Sequence, residues 1–278
     1  MTERRADALE TPMSELVLTE VREGIATLTL NRPQQLNALS VAMMEQWCAA
    51  VLRVVADAAV QVIVIRGAGE HFMAGGDIRD FQARLGLEPL ERLRAFQAMI
   101  EQKVNPAVLA LRQTYQPVVC AVQGACAGLG MSLMLGADLV LAAENAYFST
   151  AYASIGLSPD GGGTWFLPRI VGTRKAAELM LLAERISATQ ALELGLVNRL
   201  VPPGRLEEET ARLASRLQAG PRHAYGEIKR LLNRAGTADL AGQLQAEAES
   251  FARCSATNDF AEGVEAFLAK RKPAFRGA

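Results

Sequence analysis

Two short runs open the patterned part of the chain. Residues 16–21 (LVLTEV) and 25–30 (IATLTL) alternate or run apolar on either side of Arg22, Glu23 and Gly24, which predicts a β-hairpin. Asn31, Arg32 and Pro33 end the second strand. Residues 36–57 then carry apolar side chains at helical spacing with Ser40 placed as a cap, which predicts the first long helix. Residues 62–67 (VIVIRG) form a continuous β-branched run closed by glycine. Such a run suits a strand buried on both faces, hence a parallel one, and strand, helix and strand make one crossover.

Residues 81–115 are charged, helical in pattern and interrupted by Gly86 and Pro89, so a variable loop should lead into a long helix placed to act as a lid. PVVCAV (117–122) reads as the next buried strand, LGMSLMLGA as a short helix after a glycine turn, and DLVLAA (138–143) as a further strand. This alternation points to an α/β fold. Beyond Gly172 nearly everything reads helical, with breaks at Ser187, Pro202 and Pro203, Gly220 and Pro221, and Gly236. Three segments are therefore expected: a frayed N-terminus over 1–14, an α/β core over 15–200 and a helical region over 201–278. Internal repeats and low-complexity tracts are absent from the sequence.

Composition narrows the class. At 278 residues the chain can bury a sizeable core, and 29 Lys+Arg against 30 Asp+Glu give no electrostatic reason to bind nucleic acid or a membrane. The cysteines, Cys48, Cys120, Cys126 and Cys254, form no CxxC pair and join no His cluster, so neither a metal site nor a disulfide framework is supported and a reducing cytoplasm is expected. The polar start MTERRADALETPMSE lacks the apolar core of a signal peptide, and no apolar run reaches the roughly 18 residues of a membrane span. SPDGGGT lacks the ending of a phosphate loop and GACAGLG does not spell the dinucleotide fingerprint, so no nucleotide cofactor is implied. His71 and His223 make no Ser-His-acid grouping with Ser132. Asp77 reads as a helix cap, Asp138 and Glu144 as structural acids bracketing a strand, and Trp165 and Phe166 as core.

Five segments, NRPQQLNALS, HFMAGGDI, AVQGACAGLGMSLMLGADLVLA, GLSPDGGGTWFLPRIVG and FAEGVEAFLAKRKPAF, together resemble the enoyl-CoA hydratase/isomerase (crotonase) superfamily over residues 16–275. The resemblance implies a crotonase-like (ClpP/crotonase) spiral of ββα units with a C-terminal helical region for trimerisation and CoA cover. It also implies an acyl-CoA substrate, with coenzyme A present only as part of the thioester, and homotrimers or dimers of trimers. Thioester chemistry at the α-carbon passes through an enolate whose oxygen needs preorganised donors. By motif match these are the amides of Gly76, after Ala74 and Gly75, and of Leu129, after Gly128 at a helix start whose dipole favours negative charge. The same likeness places Gly76, Asp77, Ile78 and Arg79 along the pantetheine and adenine, Arg32 near the nucleotide, and Phe267 and Lys270 as contributions from a neighbouring subunit. As plain residues, Arg32 and Lys270 are equally well solvated surface charges.

The acids depart from the pattern. Hydratases of this superfamily carry two glutamates, and Ser132 and Tyr152 stand at the matching positions. Neither hydroxyl is ionised near pH 7, so efficient two-glutamate hydration is disfavoured. Asp160 matches a position where some members place a functional aspartate, a base in the phenylacetate-pathway epoxide (oxepin-CoA) isomerase and a nucleophile in a dehalogenase. IGLSPDGGGTWFLPR looks closest to that isomerase, and is related to Δ3,Δ2-enoyl-CoA isomerases. Isomerisation by Asp160 is the expectation, against a hydratase, a hydrolase or a non-catalytic acyl-CoA binder. Read alone, Asp160 is also a turn residue before three glycines, and Tyr152 could line the acyl pocket, donate a hydrogen bond or pack. Were Asp160 only a turn residue, Glu101 is the next acid to consider.

Overall fold

The computed structural model describes residues 15–277; the frayed segment expected over 1–14 lies outside them. The strands in chain order are β1 (Val17–Arg22), β2 (Ile25–Leu30), β3 (Val62–Gly67), β4 (Val118–Val122), β5 (Ala125–Ala127), β6 (Leu139–Ala143), β7 (Tyr147–Ser149), β8 (Ile186–Ser187) and β9 (Arg199–Val201). Six of them form one sheet in the order β1-β2-β3-β4-β6-β9, antiparallel only at the β1-β2 hairpin. A smaller sheet runs β5-β7-β8, with β5 parallel and β8 antiparallel to β7.

The apolar runs are explained by two cores. Ile63 and Ile65 of β3, Val118, Cys120 and Val122 of β4, and Val140 and Ala142 of β6 enter the main core. Helices α1 (Val41–Ala56), α2 (Ile78–Gln82), α3 (Pro89–Met99), α4 (Asn105–Gln113) and α5 (Leu129–Leu135) lie on that side of the chain order, and α1, α4 and α5 supply Met43, Leu111 and Met134 to the same core. The alternate residues Val62, Val64, Val119, Ala121, Leu141 and Ala143 face a second core. After α6 (Gly163–Leu182) and α7 (Ala188–Glu193), α8 (Leu206–Gln218) covers that second face with Leu206 and Ala214. With apolar cover on both faces, no position along β3 has reason to be polar until Arg66 at its end.

Ser40 caps α1 as expected, accepting from Met43 N–H at 3.3 Å. Two features differ from the sequence reading. The helix after the variable loop contains a π-helical stretch, Ile100–Val104. Pro106 follows it; proline has no N–H and its ring crowds the carbonyl four residues back, so the helix widens rather than breaks. The region beyond Gly172 is also not helical throughout. β8 and β9, two and three residues long, are too short to give a periodic signal and are fixed by pairing with β7 and β6.

The chain ends in α9 (Arg222–Ala235), α10 (Leu240–Ser255) and α11 (Asn258–Leu268). Buried polar contacts dock them. Lys229 of α9 reaches Asp138 at 2.7 Å and donates to the carbonyls of Leu111 and Gln116, which gives Asp138 the structural role expected of it. Glu227 accepts from Tyr115, Arg230 and Arg253, joining α9, α10 and the core. Beyond this anchor α11 exposes large apolar side chains among charged ones: Phe267 is 83% and Leu268 76% exposed. No helix among the described residues is long and apolar enough to cross a membrane.

Candidate active site

The site begins where the two sheets meet. Met73 N–H donates to Ala125 O (3.0 Å) and Ala127 N–H to Met73 O (2.9 Å), so the strand-like segment before the first glycine turn is laced to β5, which leads into the second. Gly75 and Gly128 have φ of 92° and 52°. A Cβ on Gly75 would stand 3.3 Å from Ala127 O, and one on Gly128 3.4 Å from Gly75 Cα. Only glycine gives both the left-handed backbone and this close approach of turn to turn.

Each glycine is followed by an uncommitted donor. Ala74, Asp77 and Gly128 N–H are bonded to Leu36, Leu39 and Ser149 carbonyls, whereas Gly76 and Leu129 N–H meet no acceptor among the described residues. Both residues line a cavity of about 530 Å³. Two fixed amides at one cavity wall can receive an oxygen that gains negative charge.

Asp160 lines the same cavity. Tyr152 OH donates to its Oδ1 at 2.6 Å and lies 3.1 Å from Ser132 Oγ. The phenol has one proton and spends it on the carboxylate, so the serine donates in the second bond. Tyr152 and Ser132 are 9% and 2% exposed. Burial pushes the Asp160 carboxyl above the ordinary aspartate value, and the Tyr152 hydrogen bond works against that rise. Burial and then the Asp160 charge push the phenol upward, so it keeps its proton. Ala151, just before Tyr152, holds φ at 59°, a left-handed value seldom taken by a residue with a side chain.

The remaining predicted residues separate into groups. Asp77 Oδ1 accepts Arg79 N–H (3.0 Å) and so caps α2, and its Oδ2 pairs with Arg32 at 2.8 Å. Burial acts to raise the Asp77 carboxyl, but the bonds from Arg32 and Arg79 outweigh it and hold it low. Arg32, expected near a nucleotide, also donates to Ala38 O, so its guanidinium braces the first turn. Ala74 and Ile78 line the cavity, Ile78 being largely exposed, and Arg79 is exposed one residue further on. Phe267 and Lys270 are not brought to this cavity within one chain; Phe267 borders a separate apolar hollow of about 480 Å³ with Phe260 and Phe275. His71 Nδ1 accepts Ala125 N–H (3.0 Å), a brace between the turns rather than a partner of Ser132. Phe166 is core, while Trp165 is 36% exposed and stacks under Arg169.

One wall comes from the segment expected as a lid, whose apolar lining residues the sequence reading did not single out. Phe81, Phe96, Met99 and Ile100 line the cavity, with the two phenylalanine rings edge to face at 5.3 Å. The signal was present in Phe96, Met99 and Ile100, spaced as one helical face inside a charged segment. Glu101 also lines the cavity and accepts from Gln97 Nε2 at 2.8 Å. Among the described residues no group of three or more His, Cys, Asp or Glu could hold a metal ion.

The family model for enoyl-CoA hydratase/isomerase matches residues 20–278. The chain is 38% identical over 265 residues to 1,2-epoxyphenylacetyl-CoA isomerase of Escherichia coli (strain K12), covering 95% of this chain and 100% of that one. It is 36% identical over 262 residues to the crotonyl-CoA hydratase of Syntrophomonas wolfei subsp. wolfei (strain DSM 2245B / Goettingen), covering 94% and 98%. A crystal structure of an enoyl-CoA hydratase from Polaromonas sp. JS666 matches with a TM-score of 0.87 at 36% identity, over 94% of this chain and 99% of that one. Its relatives thus carry both isomerase and hydratase names. With the crotonase-like fold, the two glycine turns and near full-length similarity together, the chain belongs to the enoyl-CoA hydratase/isomerase family.

Proposed function

We propose that this acyl-CoA enzyme is an isomerase, moving a proton along the acyl chain of a coenzyme A thioester to shift a double bond or rearrange a ring. Asp160 is the base, and the Gly76 and Leu129 amides hold the thioester oxygen. The observation that carries this reading is one cavity with two uncommitted amides and Asp160, whose carboxylate is bonded to Tyr152; by motif resemblance Ser132 and Tyr152 stand where hydratases carry glutamates. As a C–H bond at the α- or γ-carbon breaks, its proton passes to an Asp160 oxygen and its electron pair moves into the enolate. The enolate oxygen is received by amides already fixed by the sheet, so little reorganisation is needed. Partial burial helps the carboxyl hold the proton between steps, after which the same group returns it to the other carbon. No water is consumed.

Hydration would instead need one group to activate water and another to protonate carbon. The phenol and serine hydroxyl do neither near neutral pH. Glu101 on the cavity wall favours the second reading, a hydratase with Glu101 and Asp160 as its acids. We further place Phe267 and Lys270 against the CoA of a neighbouring copy in a homotrimer or dimer of trimers, which the exposed apolar end of α11 supports. Free thiols at Cys48, Cys120, Cys126 and Cys254 suit a cytoplasmic enzyme.

Parallel assays decide between the readings: double-bond migration in linear and cyclic acyl-CoA thioesters against hydration of crotonyl-CoA. Migration should exceed hydration by about 10²-fold or more, the low end of what acid-base groups contribute. Robust crotonyl-CoA hydration that is lost in Glu101→Gln would establish the hydratase reading instead.

A further inference from the structure

We propose that Tyr152 is the positioning residue of this site: its phenol ties down one oxygen of Asp160 so that the other is the basic atom offered to substrate, and Ser132 fixes the phenol. This rests on the reading of Asp160 as the base and adds what makes such a base work. Asp160 precedes Gly161, Gly162 and Gly163, so the residues that follow it have no side chains to pack against it. An unsupported carboxylate there would swing between rotamers. It has one side-chain donor, at 2.6 Å, within the range of charge-assisted O–H···O⁻ bonds. The other donor to the carboxylate is Asp160's own backbone N–H.

The donor is itself immobile. Tyr152 N–H is bonded to Thr150 O at 2.8 Å, its ring is buried, and its hydroxyl meets Ser132 at 3.1 Å. Ser132 lies on α5, whose first residue is Leu129. One helix therefore carries the proposed oxyanion donor at its start and the anchor of the base one turn later. A tyrosine serving only to fill space would leave its hydroxyl without this double use; phenylalanine would fill the same volume.

Charge works in the same direction. The titratable groups at the cavity wall are Asp160, Tyr152 and, from the π-helical stretch, Glu101; no Lys, Arg or His lines it among the described residues. Burial favours the protonated carboxyl, and the bond from Tyr152 opposes it. The phenol is thus the side chain that opposes the upward push of burial on the carboxyl.

The test is the pH dependence of isomerase kcat and KM, with a linear 3-enoyl-CoA thioester, for wild type, Tyr152→Phe, Ser132→Ala and Asp160→Asn. Tyr152→Phe should lower kcat about 10- to 100-fold, the weight of one hydrogen bond to a charged group, with KM within about threefold. Its acid limb should move to higher pH, because the larger of the two hydrogen bonds opposing burial is then gone. Ser132→Ala should move the limb less, in the same direction. A Tyr152→Phe enzyme with wild-type kcat and an unmoved limb, or a limb displaced to lower pH, overturns the proposal. If Tyr152→Phe does not fold, an unmoved limb in Ser132→Ala overturns it. Inactive Asp160→Asn beside wild-type-like Tyr152→Phe removes only the role of Tyr152, whereas active Asp160→Asn removes the base and the positioning role together.

Discussion

At Leu129 the proposed functional group is the backbone, and the side chain has a separate task. The side chain is 6% exposed, and a Cβ on Gly161 would stand 2.4 Å from its Cδ1, so it props the loop that carries Asp160. Leu129→Ala keeps the amide but opens a gap, which should cost about 2–5 kcal/mol of stability while leaving turnover within about tenfold of wild type. Leu129→Pro removes the donor and should lose about 10²-fold or more in turnover where it folds. Equal turnover of the two folded variants would exclude this amide from the oxyanion hole. The amide positions were legible because glycine spelling marks them: only glycine serves at 75 and 128. The Tyr152–Asp160 bond was not, since eight residues of separation say nothing about where a phenol points. The left-handed Ala151 that precedes it has no signature in a sequence either.

Among the elements, long ones were readable and short ones were not. α1 announces itself by spacing and a serine cap, and β3 by an unbroken apolar run. β5, β7 and β8, two or three residues each, owe their existence to partners and form the small sheet that holds the second turn. The C-terminal helices depend on contacts that residue type alone does not reveal, Glu227 above all. Its side chain is 2% exposed, and bonds from Arg253 first and Arg230 also hold its carboxyl well below the usual glutamate range. Glu227→Gln should destabilise the protein by about 1–3 kcal/mol, below the roughly 3–5 kcal/mol of a fully buried broken pair because both arginines can turn to water. A folded pKa below the unfolded one stabilises at pH above the unfolded value, about 4.3, and that contribution fades as pH falls toward the folded value. Urea unfolding of both proteins from pH 7 downward should show the gap closing below about pH 4.3. A gap independent of pH would mean that Glu227 acts by packing.

For the whole molecule, the α/β class followed from apolar strands alternating with amphipathic helices, and the order β1-β2-β3-β4-β6-β9 is what carrying that pattern forward with parallel crossovers produces. What patterning could not give is the meeting of the two sheets, which brings residues 76, 129 and 160 to one cavity. The central claim is that Asp160, held there beside two free amides, moves the proton. Asparagine at that position is nearly the same size and cannot accept it. The most direct measurement is therefore acyl-CoA affinity, isomerase turnover and exchange of the substrate's α- or γ-hydrogen with deuterated solvent, in wild type and Asp160→Asn. Affinity should stay near wild type, while turnover and exchange fall together by about 10²- to 10⁴-fold. A variant that binds normally and still isomerises and exchanges at close to the wild-type rate would contradict the account.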